Sequence, residues 1–162
     1  IDKPLILDAD GLFPYTNSIS ELSGKKTNLI ITPHLGEFSR LINVKVENLI
    51  SDFPRIMEDT LKVFDQTLLI KQVPICILQN NKAVVNISGN PGLATAGTGD
   101  ILSGIIASFL SQGLNGFDAA KLGAFIHGKS SDQLVCLKGF RGQIASDLLE
   151  MIPSVISKYE LS

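Results

Sequence analysis

The sequence has no run of basic residues. Its 14 Lys and Arg against 16 Asp and Glu leave a formal charge of -2, so a phosphate-tracking nucleic-acid surface is not expected. No apolar run reaches the ~18 residues that a membrane-spanning helix needs, and the opening residues do not read as a secretory signal. Cysteine is scarce. Cys76 and Cys136 both lie among apolar neighbours, which fits reduced thiols and a cytoplasmic protein. With His34 and His127 they make no zinc-type ligand spacing, so no metal site built from protein ligands is expected. Internal repeats, linkers and low-complexity tracts are missing too, which leaves one domain.

What is present suits a packed core. The chain has 162 residues, 44% of them hydrophobic and 19% charged, an ordinary globular mix. It starts at Ile1 rather than Met and enters a strand-like run almost at once. It therefore reads as a fragment or processed chain, with an earlier part outside it.

Leu5-Ile6-Leu7, Leu29-Ile30-Ile31 and Leu68-Leu69-Ile70 are short, wholly apolar runs, the pattern of strands buried on both faces. A helical stretch from Gly36 to Gln66 separates the second from the third, with breaks expected near Asn43 and Pro54. Alternating strands and helices predict an α/β fold with a mostly parallel sheet. Each run ends in polar residues, so Asp8, Asp10, His34, Glu37 and Lys71 are candidates to face one crevice at the carboxyl edge of the sheet. Ile75 to Leu78 and Ala83 to Ile87 read as a hairpin around Asn80-Asn81. Three helices close the chain. The first is striped by Ile101, Leu102, Ile105, Ile106, Phe109 and Leu110 and stops at Gly113; the second spans about Phe117 to Val135. The third runs from Ile144 to Ile156, with a bend expected at Pro153.

The Gly-rich loop from Ser88 to Asp100 carries the strongest chemical signal. In Gly97-Thr98-Gly99 the glycines let backbone N–H groups converge on an anion, and a helix start adds its positive end. Neither a Walker ending nor a dinucleotide fingerprint is present. Asp100, aimed at a substrate hydroxyl, would take its proton while the nest holds a phosphoryl group; the alternative is an aspartate that satisfies free N–H groups of the helix. Lys71 reads either as a point charge for a nucleotide phosphate or as a solvated strand end. His34 reads as a substrate contact or a helix cap. Asp8 and Asp10 read as a hydrogen-bonded turn, or as carboxylates orienting a metal-bound phosphate. Asn90 steadies the loop or sits near that phosphate, and His127 reads as a packed core histidine.

Three segments occur in order: Leu7-Asp8-Ala9-Asp10-Gly11-Leu12, Thr32-Pro33-His34-Leu35-Gly36-Glu37-Phe38, and Gly89 through Gly104 with Gly97-Thr98-Gly99-Asp100 inside it. Together with the closing Gly142-Gln143-Ile144-Ala145-Ser146-Asp147 they resemble the ADP/ATP-dependent NAD(P)H-hydrate dehydratases, a carbohydrate-kinase-like branch of the ribokinase superfamily. The resemblance implies a three-layer fold, incomplete in this chain, of which residues 1–162 are the C-terminal portion, preceded in many bacterial members by an epimerase domain. It implies a hydrated NADH or NADPH substrate, ADP or ATP with Mg2+, and self-association into a homo-oligomer such as a tetramer. Asp100 matches the residue that deprotonates the hydrate hydroxyl. Gly97, Thr98 and Gly99, with Lys71, Gln72, Val73, Pro74 and Ile75, match nucleotide-binding stretches, and His34 and Asp100 match substrate contacts. Gln72 and Ile75 depart from the family's usual Gly and Thr. Leu35, Gly11 and Ala96 are milder departures from Pro, Ala and Gly. Two other readings share parts of this pattern: a related kinase acting on a small alcohol, and a non-catalytic nucleotide-binding remnant.

Overall fold

The computed structural model describes residues 3–24 and 28–160. Five strands form one sheet in chain order: β1 (Leu5–Leu7), β2 (Leu29–Ile31), β3 (Thr67–Ile70), β4 (Ile75–Gln79) and β5 (Lys82–Asn86). The pairs β1/β2 and β2/β3 are parallel, and β3/β4 and β4/β5 are antiparallel. Only β4 therefore runs against the others, and the sheet is mostly parallel as expected.

Alternation along the strands sorts the core into layers. Leu29, Ile31, Leu68 and Ile70 point to one face, where they pack with Phe38, Leu41, Leu49, Met57 and Phe64. Those residues belong to α1 (Leu35–Leu41), α2 (Val46–Ser51), α3 (Phe53–Val63) and the residue after it. Ile30, Leu69 and Ile77 point to the other face, against Leu102, Ile106 and Leu110 of α4 (Thr98–Ser111) and Ala119, Ala120 and Ala124 of α5 (Gly116–Lys138). With both faces covered, a strand has no polar side, which is why the runs are continuous in the sequence. The last helix, α6 (Ala145–Ile156), packs on α4 and α5 through Ile105, Ile126 and Val155.

The stretch from Gly36 to Gln66 is broken, but not quite where expected. Asn43 adopts a left-handed φ of 55° and ends the α1 segment, as its short polar side chain allows. Pro54 does not interrupt a helix; it sits at the start of α3, where its missing N–H costs nothing. Pro153 lies inside α6, which continues past it to Ile156. The β4–β5 hairpin turns at Asn80, again with positive φ. Among the described residues, no helix is long and apolar enough to cross a membrane, and Cys76 and Cys136 are both free.

Candidate active site at the tip of α4

The site forms where the carboxyl ends of β1 and β3 meet the start of α4. Gly97 is the N-cap of α4, with φ 86° and ψ -10°, a left-handed conformation that glycine adopts without a Cβ clash. No side chain caps this helix start. The first intrahelical bond runs from Ile101 N–H to the Gly97 carbonyl at 3.3 Å, so the N–H groups of Gly99 and Asp100 precede the helix ladder. They form the positive end of α4, the part that suits an anion.

Lys71 follows β3 and donates from Nζ to Asp8 Oδ1 at 2.6 Å. Its side chain is 22% exposed, so it is not a solvated strand end. Its Nζ lies 3.5 Å from where a Cβ on Gly99 would stand, and Asp8 Oδ2 lies 3.9 Å from the same point. Glycine at this position thus leaves room between the helix tip and the lysine. Asp8 satisfies the turn reading and also belongs to the site. Oδ1 accepts from Ala9 N–H, and Oδ2 accepts from Ser103 Oγ at 3.1 Å. Ser103 stands one helical turn after Gly99, on the same face of α4, outside the residues that the loop pattern points to. The available signal was that four-residue spacing.

Asp100 is the third residue of α4 and is exposed. Among the described residues nothing donates to its carboxylate, so it does not act as a cap. It lines a groove between α4 and α6 with Ile101, Gly104, Ile105, Leu149 and Ile152. Gly99 lines a different hollow, an open cleft with about 870 Å³ of empty space. Lys71, Gln72, Val73, Pro74 and Ile75 flank that cleft on one side, and Asn86 to Pro91 on another. The tip of α4 therefore stands between two hollows, with Lys71 in the first and Asp100 at the second.

His34 caps α1. Its Nδ1 accepts from Gly36 N–H at 3.0 Å and Glu37 N–H at 3.2 Å, and the Glu37 carboxylate accepts from the His34 backbone N–H at 2.8 Å. The other ring nitrogen, Nε2, is 3.2 Å from Glu37 Oε1, and the side chain is 50% exposed. His34 pairs with Lys71 in a parallel bridge between neighbouring strand ends, so the two belong to one edge. Asp10 does not join Asp8. It lines a small separate depression with Phe13, Glu37 and Arg40. The single crevice expected for five residues is therefore split, because the 3-10 turn at Ala9–Tyr15 carries Asp10 away from the Asp8 carboxylate.

The Gly-rich loop is steadied from below. Asn90 Oδ1 accepts from Gly92 N–H, and Asn90 Nδ2 donates to Asp132 Oδ1 on α5. The other oxygen of Asp132 accepts from Gly89 N–H. Buried Gln143 lies so near Gly92 that a Cβ there would be 2.6 Å from its amide. Asn90 is thus a loop anchor. Among the described residues no three His, Cys, Asp or Glu cluster to hold a metal ion.

A three-layer α/β domain with an uncapped, glycine-led helix tip beside a lysine at the carboxyl edge of the sheet has the design of an anion-binding α/β fold. The chain itself belongs to the family described as NAD(P)H-hydrate dehydratase (Carb_kinase), whose profile matches residues 1–154. It is 35% identical over 161 residues to the bifunctional NAD(P)H-hydrate repair enzyme Nnr of Moorella thermoacetica, covering 99% of this chain and 30% of that protein. It is 39% identical over 134 residues to the ADP-dependent (S)-NAD(P)H-hydrate dehydratase of Neisseria meningitidis, covering 81% of this chain and 45% of that one. Among solved structures it resembles the ADP/ATP-dependent NAD(P)H-hydrate dehydratase of Bacillus subtilis, co-crystallized with ATP/Mg2+ and soaked with CoA. The TM-score is 0.85 at 26% identity, over 98% of this chain and 57% of that one. The expected ribokinase-like fold is thus present, and the chain spans less than two thirds of the length of these relatives.

Proposed function

We propose that this chain is the C-terminal portion of a nucleotide-dependent NAD(P)H-hydrate dehydratase domain and supplies its phosphate nest and its base. The carrying observation is the tip of α4, with Lys71 Nζ 3.5 Å from the Cβ position of Gly99 and, one residue on, an exposed Asp100 that has no partner among the described residues. ADP or ATP enters the cleft flanked by Lys71 to Ile75. Its terminal phosphate meets the Gly97–Gly99 stretch through the N–H groups of Gly99 and Asp100, which precede the helix ladder, and Lys71 supplies the point charge. Gln72 and Ile75, where the family usually has Gly and Thr, stand on the wall of that cleft.

The hydrate hydroxyl then attacks the terminal phosphoryl group. A new P–O bond forms, the bond to the nucleotide breaks, and the hydroxyl proton passes to Asp100. Loss of phosphate with its electron pair, and of a proton from the neighbouring ring carbon, restores the reduced nicotinamide. His34, half-exposed and fixed by its cap bonds, is the substrate contact. A magnesium ion carried by the nucleotide would find one carboxylate at the tip, Asp8, and no further cluster of protein ligands among the described residues. Such an ion would neutralise phosphate charge.

The function is tested with the complete protein, hydrated NADPH, ATP and magnesium. Return of reduced nicotinamide, matched by phosphate release, is expected; a stable phosphoester of another alcohol, with no nicotinamide recovered, would favour a kinase. The same preparation, sized by light scattering, tests the proposed homo-oligomer, and its cell fraction tests the cytoplasmic location.

A further inference from the structure

His127 is placed for more than packing. It lies in the middle of α5, is 4% exposed, and lines the cleft that Gly99 and Lys71 also line. Its Nε2 is 2.9 Å from the Thr98 carbonyl oxygen. A carbonyl only accepts, so Nε2 carries the hydrogen and the neutral ring keeps its lone pair on Nδ1. Nδ1 is buried and has no partner among the described residues. A ring kept only for bulk would be better apolar, because an unpaired buried nitrogen costs free energy. What the imidazole adds is one directed hydrogen bond.

That bond reaches a consequential peptide. The Thr98 carbonyl and the Gly99 N–H belong to the same planar unit, so fixing one fixes the direction of the other. Thr98 is held from a second side as well, its Oγ1 donating toward the carbonyl oxygens of Leu93 and Thr95. Gly97, immediately before it, has full conformational freedom and no capping side chain. The direction of this peptide therefore rests on the first turn of the helix ladder, on the Thr98 hydroxyl and on His127 together.

We infer that His127 is a positioning residue: from α5 it holds the Thr98 carbonyl and so aims the Gly99 N–H at the phosphate of the bound nucleotide. The inference rests on the nucleotide reading above. Burial pushes the imidazole pKa down to about 4, against the hydrogen bond to Thr98, which raises it. The ring therefore stays neutral, in the donating tautomer, at ordinary pH.

The test uses the complete protein and calorimetric binding of magnesium-ATP and of adenosine to His127→Leu, His127→Asn and His127→Gln. Leucine removes the donor, asparagine is too short to place it, and the Gln amide nitrogen reaches the position of imidazole Nε2. Expected is about tenfold weaker ATP binding for Leu and Asn, the size of one lost hydrogen bond to a charged group. Adenosine binding stays unchanged, and Gln recovers most of the ATP affinity. If the Leu variant does not fold, the Asn–Gln contrast reads the same effect. Wild-type ATP affinity in Leu and Asn, equal losses for ATP and adenosine, or no recovery in Gln would overturn the inference while the nucleotide reading stands. A wild-type protein that binds no ATP would overturn both.

Discussion

At the scale of single residues, the site depends on where charge is held. Lys71 and Asp8 are each mostly buried and paired at 2.6 Å, so neither is free to drift from the tip of α4. Lys71→Met should weaken magnesium-ATP binding about tenfold or more, because the point charge is lost and Asp8 is left facing the phosphate. Calorimetry checks this, and unchanged affinity would remove Lys71 from the site. Several of these residues were legible in the sequence. The Gly97–Asp100 stretch, Lys71 and His34 stood out because their types and neighbours are unusual at strand and helix ends. What those residues touch was not legible. Asn90 had two open roles until Asp132, 42 positions away, was seen to accept its amide hydrogen. His127 read as plain core because nothing local betrays a bond to Thr98, 29 residues distant.

At the scale of elements, glycines mark where two backbones meet. Gly128 of α5 faces Ser88, just after β5, and a Cβ there would lie 2.4 Å from Ser88 Oγ and 2.6 Å from its carbonyl carbon. That backbone cannot rotate aside. Gly128→Ala should cost about 1–3 kcal/mol, with a lowered Tm. Gly104, inside α4, has nothing within 4 Å of its Cβ position. Gly104→Ala should raise stability by roughly 0.5–1 kcal/mol through helix propensity alone. Comparable Tm values for the two variants would contradict this packing. The strands were readable because burial on both faces leaves a continuous apolar run. The helices between β2 and β3 were readable as three pieces, with the second break placed two residues late, since a break at Asp52 rather than Pro54 depends on how Phe53 and Leu49 turn to the core. The split of the polar edge, with Asp10 apart from Asp8, follows from a 3-10 turn that no periodicity announces.

At the scale of the whole molecule, stability should follow pH through groups that folding perturbs. His127 has a folded pKa of about 4 against an ordinary 6.5, so the unfolded chain binds the extra proton between those values. Stability is complete above pH 6.5 and is lost as pH falls toward 4, by about 3 kcal/mol. Asp147 is shifted the usual carboxylate way: Lys138 beside it holds its carboxyl below the ordinary value of 3.8. Its contribution is present above that value and is lost at still lower pH. Denaturant titrations from pH 7 to pH 4 should show the first loss in the wild type and a much smaller one in His127→Gln. Asp100 stands at the tip of α4, on the groove between α4 and α6, with the Lys71 cleft on the other side of that tip. The most direct measurement is therefore turnover of hydrated NADPH by Asp100→Asn in the complete protein, alongside its binding of magnesium-ATP. Turnover should fall below detection while ATP still binds; an Asn variant that restores NADPH at the wild-type rate would contradict a base at the tip of α4.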